Sequence, residues 1–229
     1  MKNIIILFFV SLSILSCGVF SKKSSKDRND WIYWQKDQKL TNKDFQGIVG
    51  DCGTDIIDDT VYLEAEGCMA IWSILDIPKT WKKGVEYEKF YFAPVFNTKK
   101  SWTKSNDSIA ILKIQIYFDL SELSARWARK ELYRFREESH NATGASAIMY
   151  ASIREKMLDM KHEMFATYFN DVFRTNNLDS LQSWVDFTDK MIEETKEFET
   201  KEIEFERLIT GKSEKGYKQA KKIIGPMKN

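Results

Sequence analysis

The sequence predicts an α+β domain: an N-terminal antiparallel sheet of about three or more strands, followed by three long α-helices. Three observations predict it. Between residues 60 and 96 the apolar residues alternate or form short blocks ended by turn residues, as in strands. From residue 109 onward they recur at three and four, the helical period. The change of period happens once, with no internal repeat, so strands and helices are segregated along the chain.

The strands come first. In residues 60–66, Val61, Leu63 and Ala65 face one way and Tyr62, Glu64 and Glu66 the other, a half-buried strand. Residues 69–77 form a denser apolar run stopped by Pro78. Residues 86–96 place Phe90 and Phe92 on one face and Tyr91, Ala93 and Val95 on the other. Pro94 lacks a ladder donor, which points to an edge strand or a bulge.

The helices follow. Residues 109–138 carry Ile111, Ile114, Phe118, Leu120, Leu123, Trp127 and Leu132 at helical spacing, with Asp107 and Ser108 as N-cap candidates. Residues 140–144 break the pattern. A second helix spans about 145–174, with Ile148, Ile153, Met157, Met160, Met164, Phe165, Tyr168 and Phe169 on its apolar side. Asp179 and Gln182 have capping-box spacing for a third helix that runs to Thr210, with Gly211 at its C′ position. The charged stretch 193–207 is expected to project from the core, and the Lys-rich tail after Gly211 to be loose.

Residues 1–16 read as a signal peptide: Lys2, then an apolar run too short for a bilayer, which takes about 20 residues. The run ends Ile14-Leu15-Ser16-Cys17, which resembles a lipobox, with Leu15 where a smaller residue is usual. The resemblance implies that Cys17 is the lipid-bearing first residue of a mature bacterial lipoprotein, anchored to a membrane of the cell envelope. A plain secretory signal is the alternative. Residues 17–30 then form a polar tether, 31–190 the domain, and 191–229 a charged helix end and tail.

Removing residues 1–16 takes away Lys2 and leaves 34 basic against 34 acidic residues, a balance that excludes a nucleic-acid partner. Two cysteines remain, Cys52 and Cys68. In an oxidising compartment they are a candidate disulfide, closing a loop worth ~3 kcal/mol in the chain-entropy model; two buried thiols are the alternative. Trp31 and Trp34, at the domain entrance, either pack on the sheet or line a binding groove; packing is expected from the area a Trp can bury. There is no glycine-rich phosphate loop and no Gly-x-Ser-x-Gly elbow.

Several short motifs carry a resemblance. Leu40-Thr41-Asn42-Lys43-Asp44-Phe45-Gln46-Gly47 fits a pattern Leu-Thr-Trp-x-Asp-Phe-x-Gly, with Asn42 in place of the Trp. Ser101-Trp102 precedes the first long helix. That helix carries Phe118-Asp119-Leu120-Ser121-Glu122-Leu123, then Ala125-Arg126 and Arg129-Lys130-Glu131-Leu132. Over about residues 31–190 the chain resembles a bacterial family described as secreted zinc-dependent protease-like. The resemblance implies a zincin-type scaffold with His-Glu-Gln-x-His before the Phe-Asp, two histidines holding zinc and the glutamate activating its water. Here that segment reads Lys113-Ile114-Gln115-Ile116-Tyr117. Both ligand positions and the base are replaced, so the resemblance implies the scaffold without metal, cofactor or catalysis.

The expected role is binding or scaffolding at the membrane, with an unidentified protein, peptide or small ligand. A purely structural lipoprotein is one alternative. A hydrolase with a non-standard site is another, and would draw on Asp119, Glu122, His162 and Glu163. His162-Glu163-Met164-Phe165-Ala166 begins like the zinc motif but ends without a second ligand. Glu155, Asp159, His162 and Glu163 share one helical face, where a solvated charged stripe is the plain expectation. Asp119 and Glu122 could equally be ion-pair partners, Glu122 for Arg126 four residues on.

Overall fold

The computed structural model describes residues 28–52, 61–80, 83–84 and 86–221. The signal peptide, Cys17 and nearly all of the tether lie outside these residues. In chain order the elements are β1 (Trp31–Tyr33), β2 (Ala65–Glu66), β3 (Met69–Pro78), β4 (Lys89–Asn97) and β5 (Trp102–Thr103). Then come α1 (Ser108–Glu138), α2 (Ala145–Tyr168), α3 (Leu178–Glu194), α4 (Glu202–Thr210) and β6 (Tyr217–Gln219). The α+β class is as the periodicity predicts. The main sheet is antiparallel in the order β1-β4-β3-β6, and β2 pairs with β5 in a separate short ladder.

Both faces of the sheet are covered. Phe90 and Phe92 meet Ala125, Ala128 and Leu132 of α1 and Tyr150, Ile153 and Met157 of α2. Tyr91, Ala93 and Val95 meet Phe205 and Leu208 of α4. The alternation in β4 is therefore real, but each side is apolar because each has its own helical layer. A third cluster lies at the other end of α1, where Ile114, Phe118 and Leu120 join Trp34, Leu40, Phe45, Phe96 and Tyr168.

Six expectations need correction. The alternation over 60–66 appears in the burial of residues 61–65, yet only Ala65 and Glu66 enter a ladder, with Trp102 and Thr103. Pro94 sits in an inner strand, not at an edge. Its carbonyl accepts from the Trp34 N–H at 3.2 Å just past the last β1 residue. A strand residue's N and C=O point to the same side, so the missing donor falls where β1 stops. The third-helix cap is Asn177, whose Oδ1 accepts from the N–H groups of Asp179 and Ser180, and not Asp179.

The last three corrections concern the C-terminal part. The third helix does not reach Thr210. It ends at Glu194, where Arg126 takes the Ile192 carbonyl at 2.6 Å; the chain then makes a turn of 3-10 helix and restarts as α4. The charged stretch does not project from the core. Phe205 and Leu208 are buried on the sheet, and Glu204 and Arg207 are buried as partners of Arg129 and Asp76. The tail is not loose as far as Gln219, because β6 pairs with β3. Gly211, at φ +68°, ends α4 in the left-handed conformation as expected.

Candidate functional site

The site to be tested is the α1 face at residues 113–119, where the resemblance would put a metal. Two of its residues hold the domain entrance onto the helix. Gln115 is buried; its Oε1 accepts from the Leu40 N–H at 2.8 Å, and its Nε2 donates to Asp119 Oδ1 at 2.8 Å. Asp119 Oδ1 also accepts from the Trp34 indole at 2.6 Å. Lys39 reaches Asp119 Oδ2 at 3.6 Å from the surface. Burial raises the Asp119 carboxyl above the usual range, against the opposing pull of Lys39, Trp34 and Gln115. Trp34 is fully buried, as packing predicts, and Trp31 lies against Trp72 at 4.6 Å between ring centres.

The remaining motif residues have equally local jobs. Thr41 and Asp44 close a turn on one another: Asp44 Oδ2 accepts from the Thr41 N–H at 2.7 Å and from its hydroxyl at 2.8 Å. Phe45 packs edge-on against Phe96. A side chain on Gly47 would place its Cβ 2.7 Å from the Lys100 backbone, so only glycine fits. Ser101 donates to the Asn97 carbonyl and Trp102 to Glu66.

The three positions where the resemblance implies ligands and a base are packed. Lys113 is half-buried, with its ammonium 3.4 Å from Asn176 Oδ1 and over the Phe173 ring. Ile114 is buried in the core under Gly67, where a Cβ would come within 2.5 Å of its methyl. Tyr117 stands in a cluster of rings: Phe165 at 4.6 Å, Tyr168 at 4.7 Å and Phe173 at 5.7 Å. The Tyr168 hydroxyl donates to the Lys113 carbonyl at 2.9 Å, tying α2 to this face. A one-turn π-helix, Phe169–Arg174, follows α2 and supplies Phe173 to the cluster. Burial pushes the Tyr117 phenol up. An ammonium, a core alkyl group and a neutral phenol among rings do not fit zinc, which takes imidazole, thiolate or carboxylate ligands.

The alternative catalytic residues do not meet. Glu122 is fully buried, accepting from Arg126 Nε at 2.8 Å, the Thr200 N–H at 2.9 Å and the Thr200 hydroxyl at 2.5 Å. Arg129 adds to this network through Glu204. Asp119 and Glu122 are thus committed to internal partners. His162 and Glu163 are exposed on α2. Among the described residues, no three His, Cys, Asp or Glu side chains gather as a metal group. The Glu122–Arg126 pair was legible from its spacing. The role of Arg129 was not, because its partners Thr200 and Glu204 reach α1 only through the turn after α3.

Cys52 and Cys68 come close without being bonded. Both are half-exposed thiols, and Cys68 Sγ lies 3.8 Å from the Cys52 carbonyl oxygen. No family model, curated protein or solved structure matches this chain.

Proposed function

We propose that the chain is an envelope lipoprotein, anchored through Cys17, whose peptidase-like domain is non-catalytic and acts in binding or scaffolding at the membrane. The observation that carries the reading is the fate of the motif positions. Every retained motif residue described above has a packing or hydrogen-bonding role, whereas Lys113 and Tyr117 close on the Phe173 ring and Ile114 lies in the core beside them, so that none of the three supplies a ligand or a base. That is the pattern expected when a scaffold is kept and its active centre is not.

The test uses the protein processed by bacterial cells. Fatty-acid label should enter the wild-type chain and not Cys17→Ser, and unfolded casein should survive with or without chelator. Equal label in both chains would refute the anchor. Chelator-sensitive cleavage would refute the non-catalytic domain.

A further inference from the structure

Outside the α1 face, the strongest chemistry lies at the cysteine pair. Cys68 opens the turn into β3. Its N–H donates to Ser101 Oγ at 2.9 Å, and its carbonyl accepts from the Asn97 N–H at 2.8 Å. The segment before Cys52 is held to the same place, since the Gly47 N–H donates to the Ser101 carbonyl at 2.8 Å. Asp51 then closes a turn on Ile48 in both directions, side chain to N–H and N–H to carbonyl. These hydrogen bonds bring Cys68 beside the segment that leads into Cys52.

We infer that Cys52 and Cys68 form a redox-active dithiol that exchanges with disulfides. The geometry supplies three requirements: the two residues adjoin, with Cys68 Sγ 3.8 Å from the Cys52 carbonyl oxygen, they are held by bonds that survive reduction, and both are half-exposed to a reagent. The two sulfurs also differ. A hydrogen bond from the Cys52 thiol holds Cys68 below the ordinary thiol range; burial and Glu66 oppose this, and Lys100 assists. The same contact and burial push Cys52 up. The neutral Cys68 thiol donates to the Cys52 carbonyl; once ionised, it accepts from the Cys52 thiol instead.

The exchange balances as follows. The Cys68 thiolate attacks one sulfur of an external disulfide, forming a mixed disulfide and expelling one thiolate, which takes up a proton. Cys52 loses its proton and attacks Cys68 Sγ, forming the Cys52–Cys68 bond and releasing the second thiol. Two protein thiols are oxidised and one disulfide is reduced to two thiols. The inference rests on the envelope reading only for where the exchange takes place in the cell.

The experiment uses the full processed chain, reduced and then equilibrated with oxidised and reduced glutathione at several ratios. Peptide mass spectrometry should find the Cys52–Cys68 bond half-formed within the buffered range, reversibly. Limited iodoacetamide labelling at neutral pH should modify Cys68 at least about tenfold faster than Cys52. In Cys52→Ser the glutathione adduct should accumulate on Cys68. Should that variant not fold, the wild-type equilibrium decides. A pair that stays reduced in excess oxidised glutathione would overturn the inference. So would a bond that resists excess reduced glutathione. Loss of the fatty-acid label from Cys17 would refute the anchor while leaving exchange in buffer unchanged, so the two failures are separable.

Discussion

At the scale of single residues, Tyr117 and Asp119 decide the chemistry. Tyr117 fills space among Phe165, Tyr168 and Phe173, so Tyr117→Ala should cost about 3 kcal/mol in denaturant unfolding, the lower end of what large aromatic truncations cost. A cost near zero would mean that the ring lies in an open cleft. Asp119 makes a pH prediction. Its folded pKa is raised above the unfolded value, so the folded state binds the extra proton between the two. Its contribution is then most favourable below the unfolded pKa of about 4 and is lost as pH rises through the folded value. Asp119→Asn keeps an acceptor for Trp34 and Gln115 and cannot ionise. Against this variant, the wild type should lose relative stability as pH rises from about 4 toward neutrality. A relative gain over that range would show that Lys39 outweighs burial.

At the scale of elements, the sequence was most informative where one periodicity governs a whole segment. α1 was legible to within a residue of its start, because Asp107 caps it and its apolar spacing persists to Leu132. The limit of α3 was not. Nothing local stops that helix at Glu194; Arg126 of α1 and the Glu122–Thr200 contacts do so from 60 to 80 residues away in sequence. The burial of α4 was hidden for the same reason, since Glu204 and Arg207 enter the core only with Arg129 and Asp76 as partners. The motif around residues 40–47 could be quoted from the sequence but not explained by it. Its role depends on Gln115 and on the Lys99–Lys100 backbone. Gly47→Ala should therefore destabilise the fold by about 1–3 kcal/mol, as overpacking against fixed backbone does. A neutral effect in thermal unfolding would contradict the close approach.

At the scale of the whole molecule, three layers enclose one sheet: α4 on one face, α1 on the other, with α2 and α3 against α1. α1 runs through both clusters on its face of the sheet and carries the buried polar network, so its two halves serve different parts of the core. The N-terminal half, where a metal helix would open to substrate, is covered by the end of α2, the π-turn and the domain entrance. The candidate site was legible in the sequence only through the resemblance, as residues 113–117 without the ligands that it implies. That the space is filled by rings from residues 165–173 became visible only in the fold, because those residues read as the ordinary apolar side of a second helix.

Zinc stoichiometry of the full processed chain is the most direct test of this packed face. After equilibration with zinc and removal of the free ion, elemental analysis should find no stoichiometric metal, and Lys113→Ala or Tyr117→Ala should not change that. One tightly held zinc per chain, lost on either substitution, would contradict the packed face and restore the α1 segment as a metal site.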